Sequence, residues 1–212
     1  MYIKRNILIL YKIKSLGDFL IKSMQNWQKI GFIFTGVFGV LLHFLYDWTN
    51  KSVFIAPFSA VNESTWEHMK LLFYPMVIFA FIEYRFVGKS YKNYWCVKVI
   101  GLLVGLTVIP FIYYTYTGAL GVSADWFNIT IFFIATAVAY FVEARLFMND
   151  FSSGCSKKVA FSVLLLIFLL FVIFTFVTPK IPIFIDPVTK AYADYNKALV
   201  LRSFIIPVRF GG

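Results

Sequence analysis

The chain has 212 residues, of which 60% are hydrophobic, 21% aromatic and only 14% charged, with a mean hydropathy of +0.78. So little polar surface excludes a water-soluble globule and points to a multi-pass membrane protein. The net charge of +10 sits beside apolar runs instead of forming one basic domain, so the expected partner is the anionic headgroup layer of a bilayer and not nucleic acid.

Residues 1–29 read as a basic amphipathic segment. From Ile9, the apolar residues Ile13, Leu16, Leu20, Met24 and Trp27 recur at steps of three or four, with Lys12, Lys14 and Lys22 off that stripe. This is the pattern of an N-terminal interfacial helix lying under one leaflet. A spanning helix there would immerse Lys12, Lys14 and Asp18. The apolar run Ile7–Tyr11 is too short for a signal peptide, and no small-residue cleavage site follows it.

Five continuous apolar runs follow, at residues 30–48, 66–87, 97–117, 126–148 and 159–178. A helix needs about 20 apolar residues to cross roughly 30 Å of hydrocarbon. The expected fold class is therefore all-α, an integral membrane bundle of five transmembrane helices occupying residues 30–178. Strands of an outer-membrane barrel would alternate in polarity, which these runs do not. Gly36 with Gly39, and Gly101 with Gly105, allow close helix contact. Pro75 and Pro110 lie inside the second and third runs, where each either kinks its helix or frees backbone toward a cavity.

Lys and Arg crowd the N-terminal segment (Lys4, Arg5, Lys12, Lys14, Lys22, Lys29) and the stretch Arg85–Lys98. The loop after the first span has Lys51 and Lys70, and the loop after the third has neither residue type. The positive-inside rule then puts the N-terminus in the cytoplasm and the C-terminus outside the inner (plasma) membrane. Glu83 with Arg85, and Glu143 with Arg145, fall at the cytoplasmic ends of their spans. They are expected to snorkel or to pair with one another there. Cys96 and Cys155 lie on the same face and are expected to be unpaired thiols. Asn62-Glu63-Ser64 and Asn128-Ile129-Thr130 match the glycosylation acceptor pattern but abut spans, where a transferase has little access.

The most chemically loaded stretch is Asn62-Glu63-Ser64-Thr65-Trp66-Glu67-His68-Met69-Lys70, between the first two runs. Ser64 and Glu67 have the spacing of a capping box, and Trp48 and Trp66 suit an interfacial aromatic belt. Those roles leave His43, Asp47, Glu63 and His68 unexplained. His43 and Asp47 share a helix face, with His43 about 6 Å deeper. Consecutive antiparallel spans bring their ends together, so His43, Asp47, Asn62, Glu63, Glu67 and His68 form a candidate outward-facing polar pocket. His43, His68 and Glu63 are the candidate ligands for a divalent ion of the zinc class, with a carboxylate left as general base. The same groups also suit a proton relay.

After the fifth run, residues 179–212 form an expected extracytoplasmic tail. Pro179, Pro182 and Pro187 forbid a continuing helix, and an extended strap ending in an Asp186-Pro187 turn is expected, with Ile181, Ile183, Phe184 and Ile185 folding back over the spans. His43-Phe-Leu-Tyr-Asp47-Trp, Phe58-Ser-Ala-Val-Asn-Glu-Ser-Thr-Trp-Glu-His-Met-Lys70 through Pro75, and Ile181-Pro-Ile-Phe-Ile-Asp-Pro-Val-Thr189 together resemble a family of small bacterial multi-pass membrane proteins of unknown function. That resemblance runs from about Gly31 to Thr189 and implies a bacterial inner-membrane protein without supplying an activity. Three function classes stay open: a carrier or binder of a small molecule, ion or proton; a metal-dependent intramembrane hydrolase; and a structural or assembly protein. The last would act as a homo-oligomer or bind other membrane proteins.

Overall fold

A computed structural model describes residues 2–149 and 155–192. It is all-helical, with helices α1 (Tyr2–Trp48), α2 (Thr65–Phe86), α3 (Tyr94–Leu120), α4 (Asp125–Met148) and α5 (Lys157–Phe176). Short 3-10 turns cover Gly88–Ser90 and Pro182–Phe184. Each helix follows an apolar run, since a run of that length buries its backbone polar groups only by bonding them internally. Among the described residues, Lys22–Trp48 of α1 and helices α3, α4 and α5 are long and apolar enough to cross a membrane. The sequence suggested five such helices. Helix α2 falls short because Glu67, Lys70, Glu83 and Arg85 dilute it, yet its middle from Leu71 to Met76 is buried.

The first span is part of one helix with the basic segment, and α1 runs from Tyr2 to Trp48 without a break at residue 29. It joins the bundle earlier than the apolar run begins. Met24 and Gln28 are buried, and Trp27 packs on Phe79 and Phe86 of α2. The side chains of residues 1–21 lie outside the described residues, and with them most of the expected interfacial stripe. So do residues 193–212 of the tail.

Helix α2 packs against α1 and α3, and α4 closes the other side against α1 and α3. The core between them is made by Leu72, Phe73 and Phe79 of α2, Leu102, Leu106 and Ile109 of α3, and Phe132, Ala135 and Ala139 of α4, with Phe171 of α5 joining from the edge. Small residues set the close approaches. A Cβ on Gly105 would come within 3.0 Å of the Ala139 Cβ, and one on Gly39 would meet the Phe132 ring at 2.4 Å and the Leu71 carbonyl oxygen at 2.9 Å. That carbonyl is the one Pro75 cannot serve, because proline has no N–H to give four residues back. Both α2 and α3 continue through their prolines.

Two expectations are corrected. Cys96 and Cys155 are joined in a disulfide, with Cα atoms 6.1 Å apart, which ties the N-terminal ends of α3 and α5. A sequence separation of 59 residues gave no sign of it. Glu83 and Glu143 do not pair with Arg85 and Arg145 at an interface. Residues two apart on a helix point about 200° from each other, so both glutamates turn inward, fully buried, onto Lys98, while the arginines stay outside the core.

Candidate functional site

The loop between α1 and α2 is held in place by side chains of α2 and by its own Ser59. Lys70 donates to the Ala56 carbonyl at 3.0 Å and to Thr175 Oγ1 of α5 at 3.1 Å. Tyr74 donates to the Pro57 carbonyl at 2.8 Å. The Ser59 hydroxyl accepts from Tyr46 N–H and donates to the Leu42 carbonyl, so it sits in the helical ladder of α1 beside His43. Glu67 Oε2 accepts from Val61 N–H at 2.9 Å and pairs with Lys70 Nζ at 2.5 Å. Buried polar groups need partners. Here their partners are loop backbone groups, which turns an Ala-Pro-Phe-Ser-Ala-Val-Asn loop into a rigid support.

The start of α2 completes that support. Ser64 Oγ accepts from Glu67 N–H at 3.4 Å as the N-cap. The reciprocal half of the expected capping box is absent, since Ser64 N–H is taken by Asn62 Oδ1 at 3.0 Å and the Glu67 carboxylate is held by Lys70 and Val61. Asn62 therefore shapes the turn, and Glu67 anchors the loop. Neither lines the cavity described below.

Glu63, at the tip of this turn, reaches back between two imidazoles. Its Oε1 lies 3.5 Å from His43 Nε2, and its Oε2 lies 3.4 Å from His68 Nε2. The two rings stack with centroids 5.6 Å apart. One ligand atom from each of the three residues falls within 4.8 Å of the others. His68 Nδ1 lies 3.0 Å from the Ser64 carbonyl; a carbonyl only accepts, so Nδ1 carries the hydrogen, and a neutral His68 turns the Nε2 lone pair toward Glu63. A lone pair and a carboxylate at that distance repel unless a proton or a cation lies between them. His43 Nδ1 is buried and unpartnered.

Beside the triad lies a cavity of about 380 Å³ between α1 and α4. Its wall is otherwise apolar, with Val40, Phe44, Ile129, Phe132 and Val188, and only Asn128 adds another polar side chain. Asn128 Oδ1 accepts from Tyr116 at 2.5 Å and its Nδ2 donates to Ser123 at 3.2 Å. The tail contributes Val188 to the wall. Its 3-10 turn buries Phe184 against Trp66 and Phe174, and Asp186 Oδ1 accepts from Val188 and Thr189 N–H. The strap thus contains a turn in place of a fully extended run.

Of the six residues expected in the pocket, the fold brings His43, Glu63 and His68 together. Asp47 stays exposed one turn beyond His43, past the level at which the loop crosses α1, and does not line the cavity. Trp48 is exposed, whereas Trp66 packs into the aromatic cluster with Phe171. Sequence reasoning missed Ser59, Lys70 and Tyr74 as the positioning set, and weighed Asn128 only as a glycosylation site. A lone asparagine early in an apolar run was the available signal for Asn128.

Comparison with known proteins matches residues 18–193 to the model of a family of unknown function. No curated protein and no solved structure matches the chain.

Proposed function

The chain belongs to that family, DUF6512, and because membership carries no activity we propose from the site alone that this is an integral membrane protein with a cation-centred ligand pocket. His43, Glu63 and His68 hold a divalent ion of the zinc class, and the adjoining cavity takes the apolar part of an amphiphilic small molecule. The observation that carries this reading is the triad geometry. Metal–ligand bonds of about 2.0–2.1 Å in a tetrahedron separate neighbouring ligands by about 3.3 Å. The two Glu63–imidazole distances, 3.5 and 3.4 Å to different carboxylate oxygens, are close to this. One ligand atom from each residue falls within 4.8 Å of the others, so a bound ion would draw the set closer. The Ser64 carbonyl on His68 Nδ1 is the outer-shell bond that orients a ligating imidazole. Three protein ligands leave a fourth position for water or for a ligand's polar end, where the ion acts as a Lewis acid.

The Lys and Arg distribution supports an outward-facing pocket on the plasma membrane. The test is the metal content of purified protein. Wild type retains a zinc-class ion through dialysis, His43→Ala and His68→Ala lose it, and Asp47→Ala keeps it; equal metal in all four overturns the reading. A second reading, favoured by the carboxylate lying between two imidazoles, is a metal-free proton relay through His43, Glu63 and His68. It predicts no bound metal in wild type.

A further inference from the structure

A second polar cluster lies deeper along the bundle, away from the pocket. Lys98 Nζ of α3 is 2.7 Å from Glu83 Oε2 of α2 and 2.5 Å from Glu143 Oε2 of α4. Every element around it contributes. Gln28 Nε2 of α1 reaches Glu83 Oε1 at 2.5 Å, Tyr94 OH donates to Glu83 Oε2 at 2.9 Å, and the Tyr140 ring lies 5.1 Å from the ammonium, with its hydroxyl on Thr35. None of the three charged side chains is more than 4% exposed.

We propose that Glu83, Lys98 and Glu143 form a proton-binding site that holds one exchangeable proton. The argument is charge balance. Two carboxylates against one ammonium leave one negative charge uncompensated, and among the described residues no other cationic side chain pairs with either carboxylate. Uptake of one proton from water converts one carboxylate to a carboxylic acid and brings the cluster from a net charge of minus one to zero, which buried surroundings favour. The hydrogen bonds have room for it. Gln28 Oε1 and Glu143 Oε1 are buried without partners. The 2.5 Å contact from Gln28 to Glu83 is too short for N–H···O and lies at the short end of the O–H···O range, so with the amide turned over a protonated Glu83 can donate to Gln28.

The site is built for this content. A Cβ on Gly101 would fall 2.3 Å from Glu143 Cγ and 2.7 Å from its Oε1, so this glycine makes room for the carboxylate as well as for a helix contact. Gln28 and Tyr140 also line an open groove of about 660 Å³ between α1 and α4. Exchange of the proposed proton would run through this groove by way of Gln28 and Tyr140, past Lys29 and Arg145, which also line it.

The test is infrared spectroscopy of the full chain in lipid nanodiscs, reading the C=O stretch of a protonated carboxyl that shifts in D2O. Wild type shows the band at neutral pH. Glu83→Gln and Glu143→Gln each make the cluster neutral without an added proton, so each loses it. His43→Ala keeps the band, which separates this site from the metal pocket. A wild-type spectrum without the band, or a band persisting in both glutamine variants, overturns the proposal. Should neither glutamine variant fold, Glu83→Asp or Glu143→Asp must move the band, and one unmoved in both has the same meaning.

Discussion

Lys70 and Glu67 form an ion pair of 2.5 Å with both side chains withdrawn from solvent, and through Ala56 and Val61 this pair fastens the loop that presents Glu63 to the two histidines. The candidate metal ligands therefore depend on residues that never touch the cavity. Removing one partner of a buried pair strands the other charge, at a cost of about 3–5 kcal/mol. Lys70→Met is accordingly expected to lower the unfolding free energy in detergent by that amount, and Glu67→Gln with Lys70→Met to recover most of it. A single variant as stable as wild type contradicts the anchoring role.

Gly39 gives a second prediction. A side chain there meets the Phe132 ring and the Leu71 backbone oxygen, and the backbone cannot swing aside as a side-chain end can. Gly39→Ala is expected to destabilise the α1–α2–α4 contact by about 1–3 kcal/mol. Gly118→Ala, with nothing within 4 Å, is the control and is expected to be neutral or mildly stabilising, since alanine is the better helix former by up to about 1 kcal/mol. Thermal unfolding of the two variants side by side reads the difference.

Much of the helical layout was legible because an apolar run long enough to span a bilayer announces itself in composition alone. Direction was not legible. Glu83 and Arg85 sit at one end of an apolar run, and nothing in the run says which of the two turns inward; the answer lies in Lys98, fifteen residues away on another helix. The triad was half legible. Antiparallel neighbours bring His43 near His68, but Asp47 shares the His43 face and still does not line the cavity, while the loop is fastened to α1 through Ser59 at Leu42 and Tyr46, and no spacing reveals that.

The disulfide and the Lys/Arg distribution bear on the same face of the bundle. Cys96 and Cys155 are close enough to bond, and the charge rule assigns that face to the reducing cytoplasm. Because the two cysteines are bonded, thiol trapping of acid-quenched cells is expected to leave both unalkylated until reductant is added. Alkylation of both without reductant contradicts the bond and favours the charge rule's placement of that face.

A cation held by His43, Glu63 and His68 would show itself in X-ray absorption on zinc-loaded protein. The expected result is an inner shell of nitrogen and oxygen at about 2.0–2.1 Å with imidazole outer-shell scattering from two histidines, which disappears with the bound ion in His43→Ala. A shell without imidazole scattering, or one unchanged by that substitution, would contradict it.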